Sequence, residues 1–333
     1  MLGLGRVASL SAPPSGKGLL LESVSTALML RHYSTRTRDA YVGWVRRFVL
    51  FHDRRHPASM GAREVSAFLS HLATQKNVSA STQNQAMPAL LFLYSEVLHR
   101  PLEFVGGVVH AKRPARLPVV MSREEVKAVL DHLSGTWHLM ASLLYGAGLR
   151  LLECASLRVK DADFSTGQVL VRQGKGHKDR VTLLPQAIVE PLRIHLTRVN
   201  ELHQRDLQDG AGMVDLPGAL RTKYPNAARD WPWQWVFPTT RRYVDANTGE
   251  QRRHHIHETA LQRAVRSVAV AAQITKPVSC HTFRHSLATH LLEAGYDIRT
   301  IQKLLGHHDV RTTMIYTHVL NRGPLGVKSP LDR

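Results

Sequence analysis

A basic segment at residues 101–120 most constrains how this chain can fold, because it divides the sequence into two parts of different character. It reads PLEFVGGVVHAKRPARLPVV, with paired glycines followed by prolines and basic residues. Glycines make a segment flexible and prolines stiffen it, so this composition is typical of a linker. A chain of 333 residues is also long enough for two domains. We predict two domains joined by a basic linker, in which Lys112 and Arg113 can contact a polyanion.

The part before the linker predicts a small helical domain over residues 19–100. Pro88 interrupts the last predicted helix and indicates a kink or a late start there. The second helix carries Arg46 and Arg47, which either contact a phosphate backbone or are simply solvated. Residues 1–18 contain Gly, Ser, Ala and Pro and predict a disordered tail. Apolar residues recur at helical spacing over four segments, about 20–31, 35–54, 62–75 and 81–99.

The charge of the chain favours a polyanionic partner. Lysine and arginine exceed aspartate and glutamate by 18, and the sequence pI is about 10.5. A basic excess favours nucleic acid, because neutralising phosphates releases counterions. A basic protein without a nucleic-acid role remains the alternative on charge alone.

The lengths of the apolar runs and the number of cysteines indicate the cellular compartment of the protein. No run approaches the roughly 18 apolar residues that span a bilayer. The two cysteines, Cys154 and Cys280, cannot form a disulfide framework and are expected to be buried. We therefore expect a protein of the reducing cytoplasm.

The part after the linker, residues 121–333, predicts an α+β domain with mainly helices and a small antiparallel β-sheet. Ser122 opens a Ser-Arg-Glu-Glu capping box, and helices are predicted from there to residue 145. Strand-like runs flank the loop GKGHKD within residues 168–185, which predicts a β-hairpin with Lys175 at its tip. Taken alone, Lys175 fits a solvated turn lysine better than a functional one.

Residues 210–258 have a composition that is not typical of a simple connecting loop. Trp231, Trp233 and Trp235 fall within five residues, and the basic run RRHHIHE follows. Alternating tryptophans can pack a strand edge into the core, which we expect of Trp235. Tryptophans interleaved with basic residues can also stack on unpaired bases.

The histidines of the basic run could in principle bind zinc. No cysteine or further carboxylate stands at ligand spacing beside His254, His255 and His257, because Glu258 is alone. We therefore predict no metal site and no cofactor.

The C-terminal part holds side chains suited to attack on a phosphodiester. The sequence HTFRHSLATHLLEAGYDIRTIQKLLGHHDVRTTMIYTHV predicts two helices separated by glycine stops. His281 and Arg284 lie three residues apart at a helix start, so both project to one side, where the amide dipoles favour an anion. His307 follows the second helix, and Tyr316 lies nine residues later.

Together with two upstream residues, these side chains form a set that can transfer a phosphoryl group without a metal. Arginine offers a planar fork to two non-bridging oxygens and stays charged. Tyrosine is a weak nucleophile that cationic neighbours activate by lowering its pKa. A lysine on a mobile hairpin is a natural proton donor to the leaving 5′ oxygen. The set consists of Arg150, Lys175, His281, Arg284, His307 and Tyr316.

Other polar residues near this set have simpler interpretations. Glu153 lies three residues after Arg150 and is expected to orient it through an ion pair rather than to act as a base. His285 and His290 are expected to pack the helix that carries Arg284.

In this order, the set resembles the tyrosine recombinases, also called the phage integrase family. The resemblance covers about residues 20–320 and implies a helical SAM-like core-binding domain followed by a catalytic domain. It implies that the two arginines, the lysine and the two histidines activate the phosphodiester, and that Tyr316 forms a 3′-phosphotyrosyl bond. The matching sequences are GAGLR around Arg150, GKGHKDR around Lys175, HTFRHSLATHLL from His281, LLGHHD around His307 and TTMIYTHV around Tyr316.

Residues 210–258 narrow this resemblance to the integron integrases, because Xer-type recombinases pass from the hairpin to HTFRH without such an insertion. In integron integrases this region contacts extrahelical bases of a folded single-stranded attC site. The resemblance implies the same contact for a helix near Pro217–Trp231 and for Trp233, Arg253, His254 and His255.

The resemblance also implies a substrate and an assembly. It implies recombination between attC hairpins and attI duplexes by a homo-tetramer in the bacterial cytoplasm, with no membrane, small-molecule substrate, metal or ATP. Two alternatives remain: a Xer-like or phage-type recombinase acting on duplex sites, and a catalytically silent DNA-binding relative.

Overall fold

The computed structural model describes residues 17–76, 78–102, 117–172, 179–218 and 220–317. The chain forms two compact units, Met1–Ala115 and Arg116–Arg333, and the division falls within the predicted linker. Lys112 and Arg113 lie outside the described residues, as does nearly all of the predicted N-terminal tail.

The first unit is helical, and its helices bury the apolar positions that have helical spacing. Ser34 caps the second helix, and its hydroxyl accepts a hydrogen bond from Thr37 N at 3.2 Å. Val45, Phe48 and Phe68 are almost fully buried in the core of this unit. The helices are α1 (Lys17–Leu30), α2 (Thr35–Phe51), α3 (Ala62–Thr74) and α4 (Ala80–Phe92), and a π-helical turn follows at Leu93–Val97.

Pro88 neither starts nor ends a helix. Helix α4 begins at Ala80, where Ser79 caps it, and continues through Pro88. The predicted late start is therefore wrong, because the Ser79 cap fixes the beginning of the helix upstream of the proline. Proline removes one intrahelical hydrogen bond, and the hydrogen-bonding pattern changes from α to π five residues later, at Leu93–Val97.

The second unit is mainly helical around one large apolar core. The core includes Leu143 and Leu144 of its second helix and Phe283 of its seventh, all fully buried. Ser122 caps its first helix with a capping box, as predicted. The helices are α5 (Arg123–Asp131), α6 (Gly135–Gly146), α7 (Leu151–Ala155), α8 (Val189–Gln208), α9 (Leu220–Lys223), α10 (Glu258–Ala271), α11 (Cys280–Glu293), α12 (Ile298–Leu305) and α13 (Arg311–Met314).

Two small antiparallel sheets complete the second unit. The predicted hairpin is confirmed as β2 (Gln168–Val171) paired with β3 (Arg180–Leu183), and β1 (Ala162–Asp163) adds a strand on the β2 side. The hairpin loop, residues 173–178 with Lys175, lies outside the described residues. A second pair, β4 (Pro238–Val244) and β5 (Gln251–His255), was not predicted from the sequence.

The insertion at residues 210–258 packs around a small core of its own. Trp235 is buried there with Val214 and Leu216, as its alternating pattern predicted. The helix predicted near Pro217–Trp231 is much shorter than expected, because only α9 forms within it. Pro225 disfavours the helical conformation of the residue before it and so ends the helix early.

Within the described part of the chain, no helix is both long and apolar enough to cross a membrane. The two cysteines, Cys154 and Cys280, are both buried and unpaired, as expected.

Candidate active site

Helices α11 and α12 frame the site that the C-terminal sequence predicts. Gly306 ends α12 in the left-handed conformation, at φ 62°, and turns the chain so that His307 follows directly. His281 and Arg284 lie in the first turns of α11, as their spacing predicts. The segment from α13 onward brings Tyr316 back to the same place, where its ring stacks on that of His307 with centroids 6.3 Å apart.

Arg284 is the most deeply buried of these cations, with 1% of its surface exposed. Its guanidinium donates hydrogen bonds to the carbonyls of Gly148 and Leu305. Burial, together with the positive charges of Arg150 and Arg180, lowers the pKa of Arg284 to about 9. The side chain therefore stays protonated at neutral pH, while its surroundings favour an additional negative charge beside it.

Glu153 joins Arg150 to a second arginine that the sequence analysis did not single out. Arg150 Nη1 donates to Glu153 Oε1 at 2.7 Å, and its backbone N donates to Oε2 at 2.8 Å. Arg180 binds the two oxygens of the same carboxylate, at 2.9 and 2.6 Å. Burial alone would raise the pKa of Glu153, but Arg180 and Arg150 lower it to about 2. Glu153 is thus a fixed anion that orients Arg150.

The two histidines of the set differ in exposure. His307 is half-buried and its Nδ1 lies 2.9 Å from Thr313 Oγ1. Burial and the charges of Arg284 and Arg150 lower the pKa of His307 to about 3, so its ring is neutral at physiological pH. His281 is exposed at the rim of the site. Partial desolvation and the same two arginines lower its pKa as well.

Tyr316 is almost completely buried, with 1% of its surface exposed. Burial raises the pKa of its hydroxyl, and Arg284 and Arg150 only partly oppose this. The expected lowering of the pKa by cationic neighbours is therefore outweighed in this conformation. Burial disfavours the phenolate more than the arginines stabilise it, because their charges are already partly compensated by Glu153 and by backbone carbonyls.

His285 was expected only to pack, but it contacts the tyrosine. Its Nδ1 lies 2.9 Å from Tyr316 Oη, and its ring packs edge-on against that of His281 with centroids 4.8 Å apart. Helical spacing could have suggested this role, since His285 lies one turn after His281. In contrast, His290 packs as predicted: it is buried and hydrogen-bonded to Tyr145 Oη at 2.9 Å.

The residues predicted to contact DNA in the insertion fall into two groups. His254 is exposed and His255 half-buried, and their rings lie 4.0 Å apart beside Trp235. Trp233 is partly exposed and has the ammonium of Lys160 2.7 Å from its ring centroid. These three side chains can still be reached from solvent.

Arg253 differs from the other predicted contacts, because it is buried in an ion pair. Its Nε and Nη2 bind the two carboxylate oxygens of Asp206 at 2.6 and 2.7 Å, and Nη1 donates to Thr239 O. Both partners are less than 10% exposed. The guanidinium is thus used inside the insertion and does not face a ligand, which the basic run RRHHIHE alone could not reveal.

The two arginines predicted to contact DNA from the first unit lie on the surface of α2. Arg46 and Arg47 are exposed on α2, and Arg47 also lies over the Trp44 ring at 4.7 Å. Among the residues that the structure describes, no group of three or more His, Cys, Asp or Glu side chains is arranged to hold a metal ion.

Comparison with known families agrees with this geometry. Residues 120–322 match the model of the phage integrase family, and residues 20–103 match that of the phage integrase N-terminal SAM-like domain. An integrase/recombinase of Escherichia coli is 47% identical over 98% of this chain and 97% of its own length. The tyrosine recombinase XerA of Thermococcus kodakarensis is 31% identical, with 90% of each chain covered.

Solved structures share the fold at low sequence identity. XerH recombinase bound to palindromic difH substrate, in a post-cleavage complex, gives a TM-score of 0.61 at 19% identity and covers 93% of this chain and 83% of its own. A lambda integrase tetramer bound to a Holliday junction also gives 0.61, at 15% identity, and covers 89% and 76%.

The buried arginines, the carboxylate that orients them and the stacked tyrosine are thus placed by a mainly helical fold with small antiparallel sheets, and the family match covers both of its units. The chain belongs to the phage integrase family of tyrosine recombinases, enzymes that transfer DNA strands at specific sites.

Proposed function

We propose that this recombinase is an integron integrase, which cuts and rejoins DNA at attI and folded single-stranded attC sites and so integrates and excises gene cassettes. The observation that carries the proposal is the insertion at residues 210–258. It has its own small core and leaves Trp233, His254 and His255 accessible in the unit that also carries the catalytic set. Aromatic and imidazole rings offer π-faces on which an unpaired base can stack.

The chemistry begins with the scissile phosphodiester. Arg150 and Arg284 bind its non-bridging oxygens, and His281 and His307 donate hydrogen bonds as negative charge develops. Tyr316 Oη attacks the phosphorus and gives its proton to a neutral histidine of the site, while a 3′-phosphotyrosyl bond forms and the bond to the 5′ oxygen breaks. Lys175 gives that oxygen its proton. A 5′-hydroxyl of a second strand then attacks the phosphotyrosine and gives its proton to Lys175, while Tyr316 leaves and recovers its proton from the histidine. The energy of the ester bond is kept, so no ATP is needed, and the arginines and histidines stand in for a metal.

The buried position of Tyr316 has a consequence for this reaction. Tyr316 is about 1% exposed in the protein without DNA, so its hydroxyl cannot reach a phosphodiester until the segment that carries it moves. DNA binding therefore has to expose the nucleophile before it can attack. The protein without DNA is protected from unproductive attack.

The DNA contacts that we propose come from both units and from the basic linker. Trp233, His254 and His255 hold extrahelical bases, while Arg46, Arg47, Lys112 and Arg113 contact the phosphate backbone. Arg253 is left out of the contact set because its charge is paired with Asp206. Four subunits act on two DNA sites in the bacterial cytoplasm, and strands exchange through a Holliday junction.

A Xer-like function is the second candidate. The similarity to the tyrosine recombinase XerA supports it. On this alternative the insertion contacts another protein or duplex DNA. A catalytically silent relative is less well supported, because every described member of the proposed catalytic set is present in one cluster.

One experiment separates these functions. Purified protein is offered a single-stranded attC hairpin with a duplex attI partner and, separately, a pair of duplex-only resolution sites. Recombination of the hairpin is expected. Failure on attC with success on the duplex sites would establish the Xer-like function instead, and no covalent complex on either DNA would indicate the silent relative.

A further inference from the structure

Three arginines cover the C-terminal end of α12. The last carbonyls of a helix lack intrahelical donors, yet the carbonyls of Leu304, Leu305 and Gly306 each accept a hydrogen bond from a guanidinium. The negative end of the helix dipole also favours cations at this place. The donors, in the same order, are Arg180 Nε at 3.2 Å, Arg284 Nη2, and Arg150 Nη2 at 3.3 Å.

Arg180 differs from the other two because it has no assigned role in the reaction. It is the first residue of β3, and only 9% of its side chain is exposed. Its Nη1 and Nη2 bind the two oxygens of Glu153, and its Nε binds Leu304 O. All three nitrogens of the guanidinium thus have partners within the protein. This arrangement suits a structural link better than a phosphate ligand.

The aliphatic part of the Arg180 side chain also packs against the turn at Gly306, which leads to His307. A Cβ built on Gly306 would lie 2.5 Å from Arg180 Cδ and 3.0 Å from Nε. Real Cβ atoms do not approach other atoms this closely, so the absence of a side chain at Gly306 makes room for Arg180. The left-handed φ of 62° favours glycine here as well.

We infer that Arg180 is a positioning residue for strand transfer, which holds Glu153 against Arg150 and braces the turn that presents His307. The inference rests on the roles proposed above for Arg150 and His307. It connects groups far apart in the sequence: β3 follows the loop that contains Lys175, and Arg180 joins this strand to α7 and to the end of α12.

Arginine is required at this position because the link uses its shape. A lysine keeps the charge but offers one ammonium group, which cannot bind two carboxylate oxygens and a carbonyl in this fork geometry. Glu153 would then be held from one side only, and Arg150 would lose its fixed orientation. Catalytic groups displaced by about 1 Å can slow a reaction roughly 100-fold.

The first test measures single-turnover formation of the covalent protein–DNA complex, on whichever DNA the unmodified protein cleaves. At saturating DNA, Arg180→Lys is expected to slow this step about 10- to 100-fold. Its DNA affinity should change less than about twofold, because Arg180 does not face the ligand. Arg123→Lys is a matched control, since Arg123 also donates to a carbonyl near a helix C-terminus, that of His290.

The second test measures how the cleavage rate depends on pH. A variant that is only structurally damaged would be slower at every pH and would not lose rate specifically at low pH. In Arg180→Met the pKa of Glu153 rises, so the cleavage rate should fall at low pH at a point where the unmodified enzyme is still unaffected. Adding Glu153→Gln should remove this acid limb. If the Arg180 variants do not fold, judged by thermal unfolding, Glu153→Gln tests the same link from its other side, because an amide has one acceptor oxygen where the carboxylate has two. An unchanged cleavage rate in that variant would exclude the positioning role.

The outcomes separate this inference from the proposed function. If the unmodified protein forms no covalent complex on any DNA, the function is wrong. If it does form one, and Arg180→Lys cleaves at the same rate or loses DNA affinity in proportion to rate, Arg180 is not a positioning residue. The same conclusion follows if the acid limb persists in the double variant.

Discussion

His285 Nδ1 lies 2.9 Å from Tyr316 Oη, so a histidine outside the predicted catalytic set holds the proposed nucleophile. Burial, with His281 and Arg284 nearby, lowers the pKa of His285 to about 4. Its ring is therefore neutral at physiological pH and can accept a hydrogen bond from the tyrosine hydroxyl. An imidazole with so low a pKa is a weak base, which indicates that His285 positions Tyr316 rather than deprotonating it.

Replacing His285 tests this positioning role. His285→Ala leaves the buried Tyr316 hydroxyl without its partner, which costs about 1–3 kcal/mol. We expect covalent-complex formation to slow by roughly 10- to 100-fold. His285→Asn offers an amide oxygen as an acceptor and should recover part of the rate. Equal rates in the alanine variant and the unmodified protein would exclude a positioning role.

Replacing the nucleophile itself tests the central step. Tyr316→Phe should bind DNA with nearly unchanged affinity, because only one hydroxyl is lost, but should form no covalent adduct. Denaturing gel electrophoresis of protein incubated with labelled DNA measures the adduct. An adduct that survives in Tyr316→Phe would assign the nucleophile to another residue.

The histidines of the site make stability depend on pH. The pKa of His285 is about 4 and that of His307 about 3, both below the ordinary value of 6.5. The unfolded chain thus binds more protons than the folded one between about pH 3 and 6.5, and the free energy of unfolding rises with pH through this range. It levels off above it.

Thermal unfolding across this range checks the sign. His285→Gln and His307→Gln should each flatten the rise between about pH 4.5 and 6.5. Glu153, whose pKa is lowered to about 2, acts in the same direction but only below about pH 4.5. A melting temperature that falls as pH rises from about 4.5 to 6.5 would contradict the lowered pKa values of His285 and His307.

The histidine pair of β5 tests substrate choice. His254→Ala combined with His255→Ala removes two stacked rings and should weaken binding of a folded attC hairpin by roughly 1–3 kcal/mol for each base that loses its stacking partner. Binding of duplex attI should change much less. Titration of both DNAs at the same salt concentration is the measurement, because affinity depends strongly on salt. Equal losses on the two DNAs would reject the extrahelical-base role.

Replacing Arg253 tests whether this residue stabilises the fold through its ion pair with Asp206 or contacts DNA. Arg253→Ala leaves the buried carboxylate of Asp206 with much less compensation, which destabilises by about 3–5 kcal/mol. Arg242→Ala removes a more exposed neighbour that pairs with Asp209 at 2.9 Å and lies only 3.8 Å from Asp206, and it should change stability by about 1 kcal/mol or less. Thermal unfolding measures both. A stable Arg253→Ala that binds attC poorly would restore Arg253 to the DNA contacts.

Much of the fold follows from local patterns. The capping residues Ser34 and Ser122 set helix starts, and the paired apolar runs set the hairpin, because each depends on neighbours only a few residues away. The insertion was harder to predict. Strands β4 and β5 carry mostly polar and basic residues, so the usual alternation of strands is weak there.

The sequence by itself determined which side chains can carry the chemistry, because Arg150, His281, Arg284, His307 and Tyr316 stand in motifs that can be read along the chain. Only the tertiary structure decided which partners these groups have. Helical periodicity indicates which face of a helix is buried but not which distant residue meets it.

Three pairings carry this distinction. His285 meets Tyr316 from 31 residues away, Arg180 meets Glu153 from 27, and Arg253 meets Asp206 from 47. Each forms because packed elements bring opposite charges, or a donor and an acceptor, into a buried space where an unpaired polar group would be costly. The packing therefore identifies His285 and Arg180 as candidate functional residues. It also shows that Arg253, which was expected to contact DNA, is buried in an ion pair with Asp206.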